Sequence, residues 1–193
     1  MSMQWIDRMA VEVDGEASPA ADAVVLVHGL GGSTNTWTPL LPSLTRSRCV
    51  RLELPGSARS RDAFALRENT PQQGRLTIDV LVDAVLRVCG ELGLDRAHFV
   101  GHSLGTIVCQ HLATRAPGRV KSLSLFGPML APPDAARAGL AARAAKARAE
   151  GMFGIADAIV QAALSASTRE QQPVTVAFVR ESLLAQDPEG YAR

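Results

Sequence analysis

Ser103 stands between two glycines in the pentapeptide Gly101-His102-Ser103-Leu104-Gly105, after an apolar run at residues 97–100 and before an amphipathic run that begins at Leu104. A serine hydroxyl is a weak nucleophile until a protein places it beside a base. Small flanking residues let the backbone turn sharply from strand to helix and hold the hydroxyl above the end of a sheet. The chemistry this spacing suggests is acyl transfer through a covalent intermediate on Ser103. That reaction needs a nucleophile, a base, a group that orients the base, and hydrogen-bond donors for the oxyanion.

The base is harder to place. The chain has four histidines, His28, His98, His102 and His111. His111 comes eight residues after Ser103 on the same helical run, which at ~1.5 Å per residue carries it roughly 12 Å from the hydroxyl. His102 adjoins the nucleophile and should face a different environment, His98 is mid-strand, and His28 opens a glycine-rich loop where a structural role is expected. Asp134, Asp157 and Asp187 follow Ser103 but fall in helical sequence, and none reads as the orienting acid. His98, His102 and His111 lack a metal-ligand spacing, so neither metal nor cofactor is expected.

The elements that must position Ser103 alternate between short apolar strands and amphipathic helices up to about Met129, the pattern of an α/β sheet covered by helices. Residues 3–6 and 10–13 suggest an antiparallel edge hairpin, and the β-branched run at 24–27 a buried parallel strand leading into His28-Gly29-Leu30-Gly31-Gly32. Ser33 or Thr34 can cap a helix with Trp37, Leu40, Leu41 and Leu44 on one face, which Pro42 should shorten or kink. A strand at 49–54 stops at Pro55-Gly56, and a polar, arginine-rich loop spans 57–74. Thr77 caps a helix striped by Ile78, Leu81, Val82, Val85, Cys89 and Leu92 and closed by Gly93. After the serine, Leu104, Ile107, Val108, His111 and Leu112 form the expected buried face of a helix, and residues 120–126 a further strand. Beyond Pro132-Pro133 the sequence is alanine-rich and helical, at 134–150, 155–164 and 173–186.

Composition narrows the partners. The 193 residues carry 20 Lys and Arg against 19 Asp and Glu, a net charge of +1 that gives no field for nucleic acid or an anionic membrane. The helix bearing Arg137, Arg143, Lys146 and Arg148 has a mostly alanine apolar face, which suits a solvated helix better than a membrane-lying one. Three cysteines, Cys49, Cys89 and Cys109, sit in apolar runs and read as buried free thiols of a reducing compartment. A cytoplasmic protein acting on a small, weakly charged molecule is expected.

The order of the motifs, His28-Gly29-Leu30-Gly31-Gly32, then Glu53-Leu54-Pro55-Gly56, then Gly101-His102-Ser103-Leu104-Gly105, resembles the α/β-hydrolase superfamily. The alanine-rich region and the tail Gln186-Asp187-Pro188-Glu189-Gly190-Tyr191-Ala192 look like those of 3-oxoadipate enol-lactonases and their esterase relatives. This resemblance implies that Ser103 is the nucleophile and that the backbone N–H groups of Leu30 and Leu104 form the oxyanion hole. It further implies a triad acid and a histidine downstream of Ser103, in that order. The chain matches only the N-terminal portion of the pattern: core strands through the sixth at residues 1–130, and an incomplete helical cap at 131–193. The strands that supply acid and base are therefore expected to be missing, leaving a truncated form that is inactive as it stands. Asp187-Pro188-Glu189 reads as a helix start, and the strand at 120–126 as an exposed edge open to a second copy or a complementing fragment.

The expected activity is hydrolysis of a small carboxylic ester or lactone, an enol-lactone among them, with substrate-binding side chains unassigned. Acyl transfer, perhydrolysis and carbon–carbon hydrolysis share the same elbow. Haloalkane dehalogenation is disfavoured, because it needs a carboxylate where Ser103 stands. A reading of a different class is a catalytically silent ligand-binding form of the fold.

Overall fold

A computed structural model of the chain describes residues 1–15, 22–63 and 76–193. The chain divides into two compact units, Met1–Ala131 and Pro132–Arg193. The first is built on six strands: β1 (Ser2–Ile6), β2 (Met9–Asp14), β3 (Ala23–Val27), β4 (Arg48–Leu52), β5 (Ala97–His102) and β6 (Val120–Phe126). They lie in the order β1-β2-β4-β3-β5-β6. The N-terminal hairpin is antiparallel and joins β4 antiparallel, while β4, β3, β5 and β6 run parallel. Every residue of β3 is buried, as its unbroken apolar run requires of a central parallel strand.

Two helices cover one face of this sheet. α1 (Ile78–Glu91) is capped by Thr77, whose side chain accepts from the Val80 N–H, and Gly93 follows its end at φ +65°. α2 (Leu104–Arg115) starts directly after Ser103. Val82, Val85, Val88 and Cys89 of α1, with Val108, Cys109 and Leu112 of α2, pack against Val25, Val27, Val50, Leu52 and Phe99 from the strands. On the opposite face Val24, Leu26, Cys49 and Val100 pack with Trp37, and Leu40, Leu41 and Leu44 lie against them.

Two expectations are corrected here. The segment after the glycine-rich loop is a 3-10 helix over Thr34–Ser43, because Pro39 and Pro42 lie inside it and neither has an N–H for an α-helical bond. His111 is exposed, while Ile107, Val108 and Leu112 of the expected face are buried together with Gly105, Thr106 and Cys109. The loop expected at 57–74 is described only through Ala63; its later part lies outside the described residues.

The second unit is helical: α3 (Asp134–Glu150), α4 (Phe153–Ala163), α5 (Ala166–Gln171), α6 (Pro173–Leu184) and α7 (Pro188–Ala192). α3 buries only Ala147, which joins Met152, Ile155 and Tyr191, and a second cluster unites Ala156, Val160 and Leu183. The carboxylate of Asp187 caps α7 by accepting from the Gly190 N–H at 2.7 Å. Arg148 on α3 pairs with Glu189 at 2.7 Å, and Arg180 on α6 with Asp157 at 2.6 Å. No helix among the described residues is long and apolar enough to cross a membrane.

Candidate active site

Ser103 occupies the turn between β5 and α2 at φ 50° and ψ −115°, backbone angles that L-residues rarely adopt. The two glycines explain how the turn fits. A Cβ on Gly105 would lie 2.2 Å from the Val27 carbonyl oxygen and 2.8 Å from that of His28, so α2 begins hard against the end of β3. A Cβ on Gly101 would lie 2.6 Å from the Gly105 carbonyl oxygen. The motif is thus one of close backbone approach.

Hydrogen bonds fix the turn on both sides. The Ser103 N–H donates to Phe126 O at 3.0 Å, and Ser103 O accepts from the Thr106 hydroxyl at 2.6 Å and the Thr106 N–H at 2.9 Å. Met129 N–H in turn donates to the Thr106 hydroxyl at 3.3 Å. By contrast, the Ser103 hydroxyl has no hydrogen-bond partner among the described residues and does not cap its own helix.

The glycine-rich loop lies against this turn: a Cβ on Gly29 would come within 3.1 Å of Ser103 Cβ and 3.0 Å of His102 Nδ1. Its entry is held by His28, which is fully buried. His28 Nε2 accepts from the Leu54 N–H at 3.0 Å, so the proton resides on Nδ1 and is donated to Gly29 O at 2.8 Å. Burial holds the His28 pKa below the usual histidine value, outweighing the hydrogen bond to Gly29 and the nearby Glu53, so the ring is neutral. Gly31 takes φ +78°, and the Gly32 N–H closes the loop on Gly29 O at 3.0 Å. Neither the Leu30 nor the Leu104 N–H donates a hydrogen bond among the described residues, and Leu104 opens α2, where the helix dipole favours negative charge.

A cluster of charges that sequence reasoning missed lies under the exit of the loop. Glu12 on β2 faces Arg51 on β4 in the cross-strand register and pairs with it at 2.9 Å; Arg51 also holds Asp14 at 2.8 Å. Arg59 reaches in to Glu53 and Glu12, each at 2.7 Å, and its own N–H donates to Glu53 Oε2 at 2.8 Å. Burial raises the Glu12 pKa, but the Arg59 hydrogen bond and the Arg51 and Arg59 charges outweigh it and hold the carboxyl below its usual range. The available signal was a pair of charges, Arg51 and Glu53, inside an otherwise apolar strand. Their partners depend on strand register, which the sequence does not display.

The remaining candidates are occupied elsewhere. His98 Nδ1 meets the Ser122 hydroxyl at 2.7 Å, and its Nε2 lies 3.6 Å from Asp22, which also pairs with Lys121. Asp134 pairs with Arg137, Asp157 with Arg180, and Asp187 caps α7. No imidazole hydrogen-bonds the Ser103 hydroxyl among the described residues. Nor is any group of three or more His, Cys, Asp or Glu among them placed to hold a metal ion.

The family model for the alpha/beta hydrolase fold matches residues 22–187. The chain belongs to the α/β-hydrolase fold family. Among solved members, the enol-lactonase from Burkholderia xenovorans LB400 superposes with a TM-score of 0.84 at 28% identity, over 99% of this chain and 70% of that one. Among curated relatives, a dihydrolipoyllysine-residue acetyltransferase component of an acetoin cleaving system from Pseudomonas putida is 41% identical over 104 residues, 53% of this chain and 26% of that protein. A putative carbamate hydrolase RutD from Rhizobium rhizogenes is 34% identical over 119 residues, 61% of this chain and 42% of its own length. The α/β-hydrolase chain thus spans between 26% and 42% of the length of these two relatives.

Proposed function

We propose that this α/β-hydrolase chain carries the nucleophile half of a serine hydrolase site that acts on a small carboxylic ester or lactone. Ser103 attacks the acyl carbon, and the Leu30 and Leu104 amides receive the oxygen that becomes negative. The observation that carries this reading is a serine held at φ 50° whose hydroxyl has no partner among the described residues, against a loop and a helix start whose Leu30 and Leu104 amides donate to none of them. Preorganised donors of this kind stabilise charge that develops only in the transition state. The named enol-lactonase neighbour and the putative carbamate hydrolases support an acyl compound as substrate. A fluorophosphonate probe with peptide mapping tests this in a form that also carries a triad acid and histidine after Ser103: modification of Ser103, lost in Ser103→Ala, is expected, and that form left unmodified refutes it.

One observation favours a second reading, a ligand-binding form without turnover: the Ser103 hydroxyl has no imidazole partner among the described residues. Saturable binding of a small ester, with no covalent probe adduct and no hydrolysis, is the outcome that selects it. For association, β6 is the last strand of the sheet among the described residues, and we propose its free edge as the place where a second copy or a complementing strand pairs.

A further inference from the structure

We infer that Thr34, held by Arg59 and Glu53, is a positioning residue that sets the loop bearing the Leu30 amide. This inference rests on the reading of Leu30 as an oxyanion donor.

The loop has two anchors and little chain between them. At its entry, His28 is bonded to Leu54 N–H through Nε2 and to Gly29 O through Nδ1. At its exit, Thr34 is wholly buried. Its hydroxyl accepts from Arg59 Nη2 at 2.8 Å and donates to Glu12 Oε1 at 3.2 Å, and its carbonyl accepts from Arg51 Nη1 at 3.3 Å. Arg59 is oriented by Glu53, whose Oε1 accepts from Nε at 2.9 Å and from Nη2 at 2.7 Å. Two consecutive residues after β4, Glu53 and Leu54, therefore hold both ends of the Leu30 loop, one through a guanidinium and one through an imidazole. Leu30 itself is held by neighbours: Gly32 N–H closes on Gly29 O, and Ser33 and Thr36 cap the 3-10 helix reciprocally.

The hydroxyl at residue 34 is a neutral group through which this charged cluster holds the loop exit. Removing it leaves Arg59 with Glu12 and Glu53 as partners, so the cluster persists while the loop exit keeps only the Arg51 bond to its carbonyl. A donor displaced by a fraction of an ångström stabilises the developing charge less, and loss of one oxyanion donor costs on the order of 100- to 1000-fold in turnover. A merely slackened loop should cost less, on the order of tenfold.

The test compares Thr34→Val with Thr34→Ser in the whole chain. Amide exchange at Gly32 is measured against Val25 in β3, alongside the rate of fluorophosphonate modification at Ser103 in the form that carries a triad acid and histidine. Expected are an exchange rate at Gly32 raised about tenfold or more with Val25 unchanged, a similar fall in modification rate, and recovery of both in Thr34→Ser. A change at Gly32 below about twofold, or a serine variant no better than the valine one, overturns the inference. Should Thr34→Val fail to fold, Arg59→Lys, which keeps a charge for Glu53 but loses the fork that reaches Thr34, is read against the same two thresholds. Exchange at Gly32 judges the tether even where Ser103 resists the probe, and resistance in the form that carries a triad acid and histidine would refute the serine reading alone.

Discussion

Replacing Gly105 by alanine probes the close approach on which the turn at Ser103 depends. The added Cβ would sit 2.2 Å from the Val27 carbonyl oxygen, where about 3.0 Å is the shortest separation normally seen, so α2 and β3 must part by 0.8 Å (3.0 − 2.2). A second clash, at 2.8 Å with His28 O, lies on the same side. Both oxygens belong to the backbone at the end of a strand hydrogen-bonded on both sides, so neither rotates away. Overpacking of this kind costs ~1–3 kcal/mol, and the rigid backbone places this case at the upper end. Gly90 supplies the control: it is exposed, lies in α1, and an added Cβ meets nothing within 4 Å, so Gly90→Ala should stabilise the protein by about 0.5–1 kcal/mol. Urea unfolding followed by tryptophan fluorescence reads the right unit, because both tryptophans, Trp5 and Trp37, lie in Met1–Ala131. With a slope of ~1–3 kcal/mol per molar urea, the Gly105→Ala midpoint should fall by roughly 1 M while that of Gly90→Ala rises. A Gly105→Ala midpoint within about 0.3 M of the parent would refute the argument that close backbone approach dictates this glycine.

Ser103→Gly should raise stability by about 1 kcal/mol, because relief of ~1–3 kcal/mol of backbone strain exceeds the entropy that glycine adds to the unfolded chain. Thermal unfolding checks this, with Ser103→Ala expected near the parent since the hydroxyl bonds nothing among the described residues. A glycine variant less stable than the alanine one contradicts it. For pH, His28 is neutral in the fold with its pKa held below the usual value by burial, so below about pH 6.5 the unfolded chain binds a proton that the native one refuses. Stability should therefore fall as pH drops from ~6.5 toward the depressed folded value, by up to ~1.4 kcal/mol per pH unit for one proton. His28→Gln should flatten that slope, leaving the part due to His102, which burial also lowers; an unchanged slope would count against the buried neutral ring. At the β6 edge, Ser122→Lys with Ser124→Lys should reduce concentration-dependent association in sedimentation, and equal association would exclude that edge.

Elements defined by local rules are legible in the amino-acid sequence alone. The β-branched run of β3, the stripe and caps of α1, the hairpin at the N-terminus and the Asp187 cap all follow from chemistry within a few residues, and each is present. What escapes such rules depends on contacts distant in sequence. Two prolines three residues apart are each readable, yet their joint effect, a whole 3-10 helix in place of an α-helix, comes from both acting on a segment whose buried face still packs Trp37. His111 satisfies the helical period but faces solvent, because the tight approach at Gly105 fixes which side of α2 meets the sheet. The Glu12 and Arg51 pair is 39 residues apart (51 − 12) and becomes visible only through the β2 and β4 register.

The same distinction explains the site. The pentapeptide marks where a serine can be held in a strained turn, but strain of ~1–3 kcal/mol persists only where the surroundings over-determine it. Here that work is done by residues outside the motif's fixed glycines and serine. Phe126 O anchors the serine's N–H, and the fully buried Thr106 clasps its carbonyl with a hydroxyl that also receives Met129 N–H. The end of β6 and the segment after it are thereby bound to the Ser103 peptide, as Leu54 after β4 is bound to His28 at the entry of the glycine-rich loop and Glu53, through Arg59, to Thr34 at its exit. Both the Ser103 turn and the glycine-rich loop are set by what happens just beyond the carboxyl ends of β4 and β6, parallel strands with β3 and β5 between them. That is where parallel α/β sheets place their ligands, and in this chain the reason is mechanical: those ends are where buried backbone groups leave the ladder and must find new partners.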